Sequence, residues 1–211
     1  GELDQAKAIL DYQQRNNIIS VNAYTFQGPN NLGGRTRAIA YDVRYDGTTN
    51  RIILAGGVSG GVYKSTDDGA TWVRKSPTGE HFSCTSIAQD IRVGFQDTWY
   101  YSVGEGSGNS AGAPSAGYSG NGVYKSTDNG NSWVSIQGDL SLPYASDIDF
   151  TSTGDLYLTI VQQLYKSTNG GTNWSNITTM FNGFGFQSAY VDNNDNVWAT
   201  TLTSGIIKSS D

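Results

Sequence analysis

The side chains able to do chemistry in this chain are few and scattered. Four acids, Glu80, Glu105, Asp139 and Asp147, fall near predicted loops or strand ends, where a pair of carboxylates would have to meet to cleave a glycosidic bond. Such a pair acts at a separation of roughly 5 to 9.5 Å, and a sequence supplies no distances. Arg35 and Arg37 stand together in "GPNNLGGRTR", beside a Gly pair and after Asn30 and Asn31. Arginines there could hold a ligand carboxylate, and for Arg35 the carbonyls of its own loop are the alternative. His81 and Cys84 stand three apart with no second pair, too few ligands for zinc. Asp192 and Asp195 in "VDNNDNVW" lack the regular oxygen spacing of a calcium loop and read as a polar turn. The glycines of "AGGVSGGV" are followed by strand-like residues and no helix carrying Lys and Ser/Thr, so they form no phosphate loop. No metal and no cofactor is expected.

Composition narrows the function classes. The chain has 211 residues, a formal charge of −6 and an isoelectric point near 4.6. An acidic chain lacks the basic face needed to displace counterions from a duplex or to settle on an anionic bilayer, so neither nucleic acid nor membrane insertion is expected. No run reaches the roughly 18 apolar residues of a membrane span. Cys84 is the single cysteine, which excludes an internal disulfide and favours a buried apolar role. No leader is visible at Gly1, so any targeting segment is expected to have been removed or to lie outside this sequence.

The elements that must position these residues show through a repeat. "VYKSTDDGATW" (Val62 to Trp72) returns as "VYKSTDNGNSW" (Val123 to Trp133) and more loosely as "LYKSTNGGTNW" (Leu164 to Trp174). Ser65, Ser126 and Ser167 are 61 and 41 residues apart, and "IIKSSD" begins a fourth copy 42 residues on, at Ser209. Periods of about 40 to 45 residues belong to propeller blades, each a small four-stranded antiparallel sheet. Twenty-seven glycines, many aromatics and little helical periodicity agree with short strands and tight turns.

Within the repeat each residue type has a local task. Asp67 can accept hydrogen bonds from its own turn, Ser65 and Thr71 can tie the flanking strands, and Gly69 supplies a positive φ. Trp72 can bury its ring between sheets. The second copy repeats the set as Ser126, Asp128, Gly130, Ser132 and Trp133. The third, with Ser167, Asn169, Gly171 and Trp174, has lost the acid and the second hydroxyl and should hold its turn more weakly.

These residues resemble the Asp-box, or bacterial neuraminidase, repeat S-x-D-x-G-x-[ST]-W. The resemblance implies an all-β propeller of four-stranded blades, about four of them present, in a ring of six to eight. It also implies that the boxes are structural hairpins remote from any site. The expected layout is a helix or linker over 1–18 and a partial propeller over 19–211. That propeller comprises an outer strand at 22–28, blades at 35–77, 83–138 and 145–178, and an incomplete blade at 186–211. The opening "GPNNLGGRTRAIAYD" with "AGGVSGGVYKSTDDGATW" is similar to large secreted Bacteroidota proteins exported by type IX secretion, and more distantly to sortilin-type and xyloglucanase-type propellers. It implies a secreted or surface location on a Gram-negative cell.

In such a topology the boxes lie on one face, and the entry and second-to-third-strand loops on the other. That second face gathers Asn30, Asn31, Arg35, Arg37, Glu105, Tyr118 and the inserted loop 104–122, and is the expected ligand-binding surface. The function implied is a non-catalytic binding or adhesion module for a glycan or protein. A glycoside hydrolase whose carboxylates lie partly elsewhere, or cargo of the secretion machinery, are the alternatives. No F/Y-R-I-P segment accompanies the arginines, which counts against sialidase chemistry.

Overall fold

The computed structural model describes residues 35–77, 83–105, 118–136, 144–160, 163–181, 185–201 and 205–209. The predicted helix at 1–18 and strand at 22–28, with Asn30, Asn31, Glu80, His81, Asp139 and most of the inserted loop, fall outside those residues. Among these residues, fifteen strands form four antiparallel sheets, each folded from consecutive strands. The first holds β1 (Thr36–Tyr41), β2 (Ile53–Gly57), β3 (Gly61–Ser65) and β4 (Val73–Arg74). The second holds β5 (Cys84–Gln89), β6 (Trp99–Glu105), β7 (Tyr118–Ser126) and β8 (Val134–Ser135). The third holds β9 (Ala145–Phe150), β10 (Leu156–Ile160), β11 (Gln163–Ser167) and β12 (Ser175–Asn176), followed by a 3-10 turn at Thr178–Phe181. The last has β13 (Phe186–Val191), β14 (Val197–Thr201) and β15 (Gly205–Ser209).

The cores lie between sheets. Alternate side chains of a strand point to opposite faces, so each sheet feeds two seams. Trp99 and Tyr101 of β6 join Ala38, Leu54 and Val62 of the first sheet, whereas Tyr100 points the other way and joins Ile148, Phe150 and Leu158 of the third. Tyr157 and Leu164 then meet Ala189, Val191 and Val197 of the fourth. Three seams between four consecutive sheets, with β1, β5, β9 and β13 as successive neighbours, are the radial packing of propeller blades. At the first seam Tyr101 stacks on Tyr124 at 4.8 Å and meets Trp133 edge-on at 4.7 Å, each large buried side chain contributing about 1.5–3 kcal/mol. Cys84, fully buried in the same seam, lies so close to Gly56 that a Cβ there would overlap its sulfur.

The repeated hairpins close through their own side chains. Asp67 accepts from the Thr71 amide at 2.8 Å, the Thr71 hydroxyl at 2.6 Å and the Ser65 hydroxyl at 2.7 Å, while Ser65 Oγ accepts the Gly69 amide at 2.8 Å. Asp128 repeats the pattern with Ser126 and Ser132. In the third copy Asn169 keeps the Ser167 and Asn173 amide contacts, and no hydroxyl stands at 173 to supply the third. The turn therefore keeps its shape with one bond fewer. Two successive residues have positive φ, Asp68 and Gly69, Asn129 and Gly130, Gly170 and Gly171, which is why only Asp, Asn or Gly occupy the first position. Trp72 and Trp133 stand just before the outer strands β4 and β8, which begin one residue later. The Trp72 indole donates to the Gly69 carbonyl at 2.9 Å. Trp133 is buried between sheets, whereas Trp72 is only half-buried.

A residue of the repeat given no task above turns out to join the blades. Lys64, nearly buried, donates to the Asn129 carbonyl at 2.6 Å and to Asn131 Oδ1 at 3.1 Å in the next hairpin. Lys125 reaches the Gly170 carbonyl at 3.4 Å in the same way. Opposing latches come from the inner hairpins. Arg44, clamped by Asp42, reaches Asp97 at 2.7 Å; Arg92, clamped by Asp90, reaches the Thr153 carbonyl at 3.0 Å; Ser152 is held by Asp195 at 2.6 and 2.7 Å. Lys64→Met keeps the stem and loses both bonds. It is expected to lower unfolding stability by about 1–3 kcal/mol, while Lys208→Met, at an exposed position, stays within about 0.5 kcal/mol. Urea unfolding of the two variants measures the difference, and equal midpoints would refute the latch.

Candidate functional site

Antiparallel pairing puts the start of β1 beside the end of β2, Thr36 opposite Gly57, and the start of β5 beside the end of β6. Arg35, Arg37 and Glu105 therefore arrive at one rim, at the seam of the first two blades. The Glu105 side chain is 1% exposed and sits beneath both arginines. Arg35 Nη2 donates to its two oxygens at 2.6 and 2.5 Å, and Arg37 Nη1 donates to Oε1. Arg35 thus spends these contacts on the acid of the neighbouring blade, and its own carbonyl accepts the Val58 amide at 3.0 Å. The arginine side chains remain 46% and 37% exposed. One buried acid against two half-exposed cations leaves a local charge of +1.

A local irregularity aims Glu105. The β6–β7 register shifts between Val103 and Glu105, and Gly104 has φ +110°. Gly120 passes so close to the Val103 carbonyl that a Cβ would overlap it. The extended β7 then brings Tyr118, a residue 53% exposed, directly opposite Glu105 in the ladder. Of the six residues expected on this face, the structure brings four together: Arg35, Arg37, Glu105 and Tyr118. Asn30 and Asn31 are outside the described residues.

A cleft of about 480 Å³ lies along the inner strands β5, β9 and β13, lined by Ser86, Gln89, Asp147, Asp149, Ser188 and Tyr190, among others. Asp147, one of the four acids near predicted loops or strand ends, lies here, within β9. Its Oδ1 accepts the Ser86 hydroxyl at 2.7 Å and its Oδ2 the Ser188 hydroxyl, bridging blades on both sides. Asp149 accepts the Val191 amide at 2.8 Å and its neighbour Phe150's amide at 2.9 Å. Burial, with the Asp147 charge beside it, pushes the Asp149 carboxyl up to about 6 against the pull of those amides. Both oxygens of both acids already accept hydrogen bonds, and one purpose is evident: Val191 N belongs to an inner strand whose free edge needs a partner. Gln89 does the same for Val43 N at 2.7 Å.

The other sequence candidates resolve as structure. Burial raises the Cys84 thiol far above its ordinary range, so it stays protonated. Asp192 accepts from the Asn194 and Asn196 amides, the Asn196 side chain and the Trp198 indole, forming a polar turn. Among the described residues no group of three or more potential ligands forms a metal site, and no helix is long and apolar enough to cross a membrane. The Asp149 pairing and the Asp-x-Arg clamps were not read from sequence. The repeated spacing of "YDVR" and "QDIR" was the available signal for the clamps.

No family profile and no curated protein sequence matches the chain. Solved structures do. An ancestral GH74 enzyme superposes with a TM-score of 0.61 at 15% identity, over 90% of this chain and 24% of that one. The extracellular domain of a hybrid two-component system from B. thetaiotaomicron gives 0.60 at 14% identity, over 89% and 23%. YCF48 bound to D1 peptide gives 0.52 at 16%, over 80% and 49%. The chain spans about a quarter to a half of the structures it resembles. At these identities the likeness defines the fold, and the fold is a β-propeller.

Asp149 yields a signed pH prediction. A carboxyl ordinarily titrating near 4 and held near 6 in the fold leaves the native state with the extra proton between those values. Stability from this group therefore falls as pH rises from about 4 to 6. Asp149→Asn abolishes that slope: relative to wild type the variant should gain steadily across this window in urea unfolding series. A wild-type-minus-variant difference that stays flat with pH would contradict it.

Proposed function

We propose that the protein is a secreted or cell-surface propeller of the Asp-box type, acting as a non-catalytic binding or adhesion module whose ligand, a glycan or a protein, docks on the rim bearing Arg35, Arg37, Glu105 and Tyr118. The observation that carries this reading is the state of Glu105. Buried beneath Arg35 and Arg37 and bonded to both, it turns no oxygen toward solvent where a substrate could take a proton from it. What it exposes to solvent is a fixed pair of cations beside an aromatic ring, the furniture of recognition. The extracellular domains and peptide-bound propellers among the structural neighbours support such a role. On this reading the recurring hairpins are rivets between blades and touch no ligand.

One observation favours a second reading. Asp147 and Asp149 share a cleft, and the Asp149 carboxyl sits near 6, a value suited to a general acid near neutral pH; glycoside hydrolases of the GH74 class are among the neighbours. The two readings separate experimentally. The binding role predicts that the chain captures a ligand from an array of glycans and extracellular matrix proteins, and that Tyr118→Ala weakens capture at least tenfold while Val134→Ala, on an outer strand, does not. Unaltered capture by Tyr118→Ala, or none by wild type, removes the reading. The hydrolase role predicts reducing-end release from xyloglucan that Asp149→Asn abolishes.

A further inference from the structure

We propose that the ligand taken at this rim is a uronate of an acidic polysaccharide, its carboxylate held by Arg35 and Arg37 and its sugar ring lying on Tyr118. The inference rests on the binding reading above and adds the chemical class.

The geometry selects an anion first. Glu105 takes one nitrogen of each arginine, Nη2 of Arg35 and Nη1 of Arg37. A guanidinium carries five N–H donors in a rigid fork, so the remaining donors of both forks sit on side chains that are still 46% and 37% exposed. The buried acid holds the forks in place before any ligand arrives, which cuts the ordering cost of binding through two long side chains. It also offsets only one of the two charges. The result is a positive spot on a chain whose formal charge is −6, a local field that attracts one anionic group of a ligand.

The planar fork then favours a carboxylate, and Tyr118 favours a sugar bearing one. The residue is 53% exposed and stands opposite Glu105 across the β6–β7 ladder. Directly paired ladder positions place their side chains roughly 5 Å apart. In a hexuronate the carboxylate hangs one bond outside a pyranose whose C–H face is apolar. A ring stacked on Tyr118 thus carries its carboxylate toward the arginines. A peptide C-terminus offers the carboxylate without the rigid apolar ring beside it.

The test uses the full chain and three immobilised or titrated probes: polygalacturonate, the same polymer fully methyl-esterified, and a short peptide with a free C-terminal carboxylate. Expected is saturable binding of the acid form, at least tenfold weaker for the ester, and weakened by 0.5 M salt. Because removing an arginine leaves Glu105 buried without its partner, the variants are Arg35→Lys/Arg37→Lys, which preserve charge, and Arg35→Gln/Arg37→Gln/Glu105→Gln, which removes all three charges together. Each should lose at least tenfold in affinity at a thermal midpoint close to wild type. Equal binding of acid and ester, with the variants still impaired, overturns the uronate and leaves the rim as the binding face. Unimpaired variants overturn the rim as well. Binding of the peptide with none of polygalacturonate, or of neither probe, also refutes the uronate.

Discussion

A four-stranded blade whose outer strand has two ladder residues cannot hold itself together, and every feature of this molecule follows from the need to lean on a neighbour. Sheets of this size bury apolar side chains only against another layer. The seams therefore contain the cores, and the Tyr and Trp residues are placed on alternate faces of β6 so that one strand serves two seams. The polar latches add direction to that packing. Lys64 and Lys125 point from their blades to the turn of the next, so the second hairpin is secured both by its own Asp128 and by the ammonium of Lys64.

The same dependence explains where acids are found. Asp42 and Asp90 are almost fully buried, yet each is met by an arginine two residues on; Asp147 and Asp149 occupy the free edges of inner strands. The Asp67 and Asp128 carboxyls are held down at about 2, Asp67 by bonds from Thr71 and Ser65, and Asp128 by equivalent bonds that outweigh its burial. An unpaired buried charge is costly, and the fold distributes its negative charge so that nearly every interior acid has donors around it. Glu105 obeys this rule at the rim, where its partners are left open to solvent.

Sequence reading reached the architecture because repetition at blade spacing is a long-range signal written locally: the phrase ending at Trp72 states its turn, and its recurrence states the stacking. The rim residues Arg35, Arg37, Glu105 and Tyr118 were also legible as a group from loop topology. Their mutual contact was not, since Arg35 and Glu105 are 70 residues apart and meet only through a register shift beside Gly104. The place of Asp147 was hidden for a related reason. A strand end and a strand centre look alike in one dimension, and the register there depends on a bulge in β9, where Ser146 stands between Ala145 and Asp147 with no partner in the β9–β10 register. The lysine of "YKS" escaped because its ligand is a backbone carbonyl, which no residue identity announces.

The burial of Cys84 has a practical consequence. The chain carries one thiol, sealed in the seam of the first two blades against Gly56, where no aqueous reagent can reach it. Its alkylation rate would therefore clock the separation of those blades, giving the protein a native reporter of breathing at the joint beneath Arg35 and Arg37.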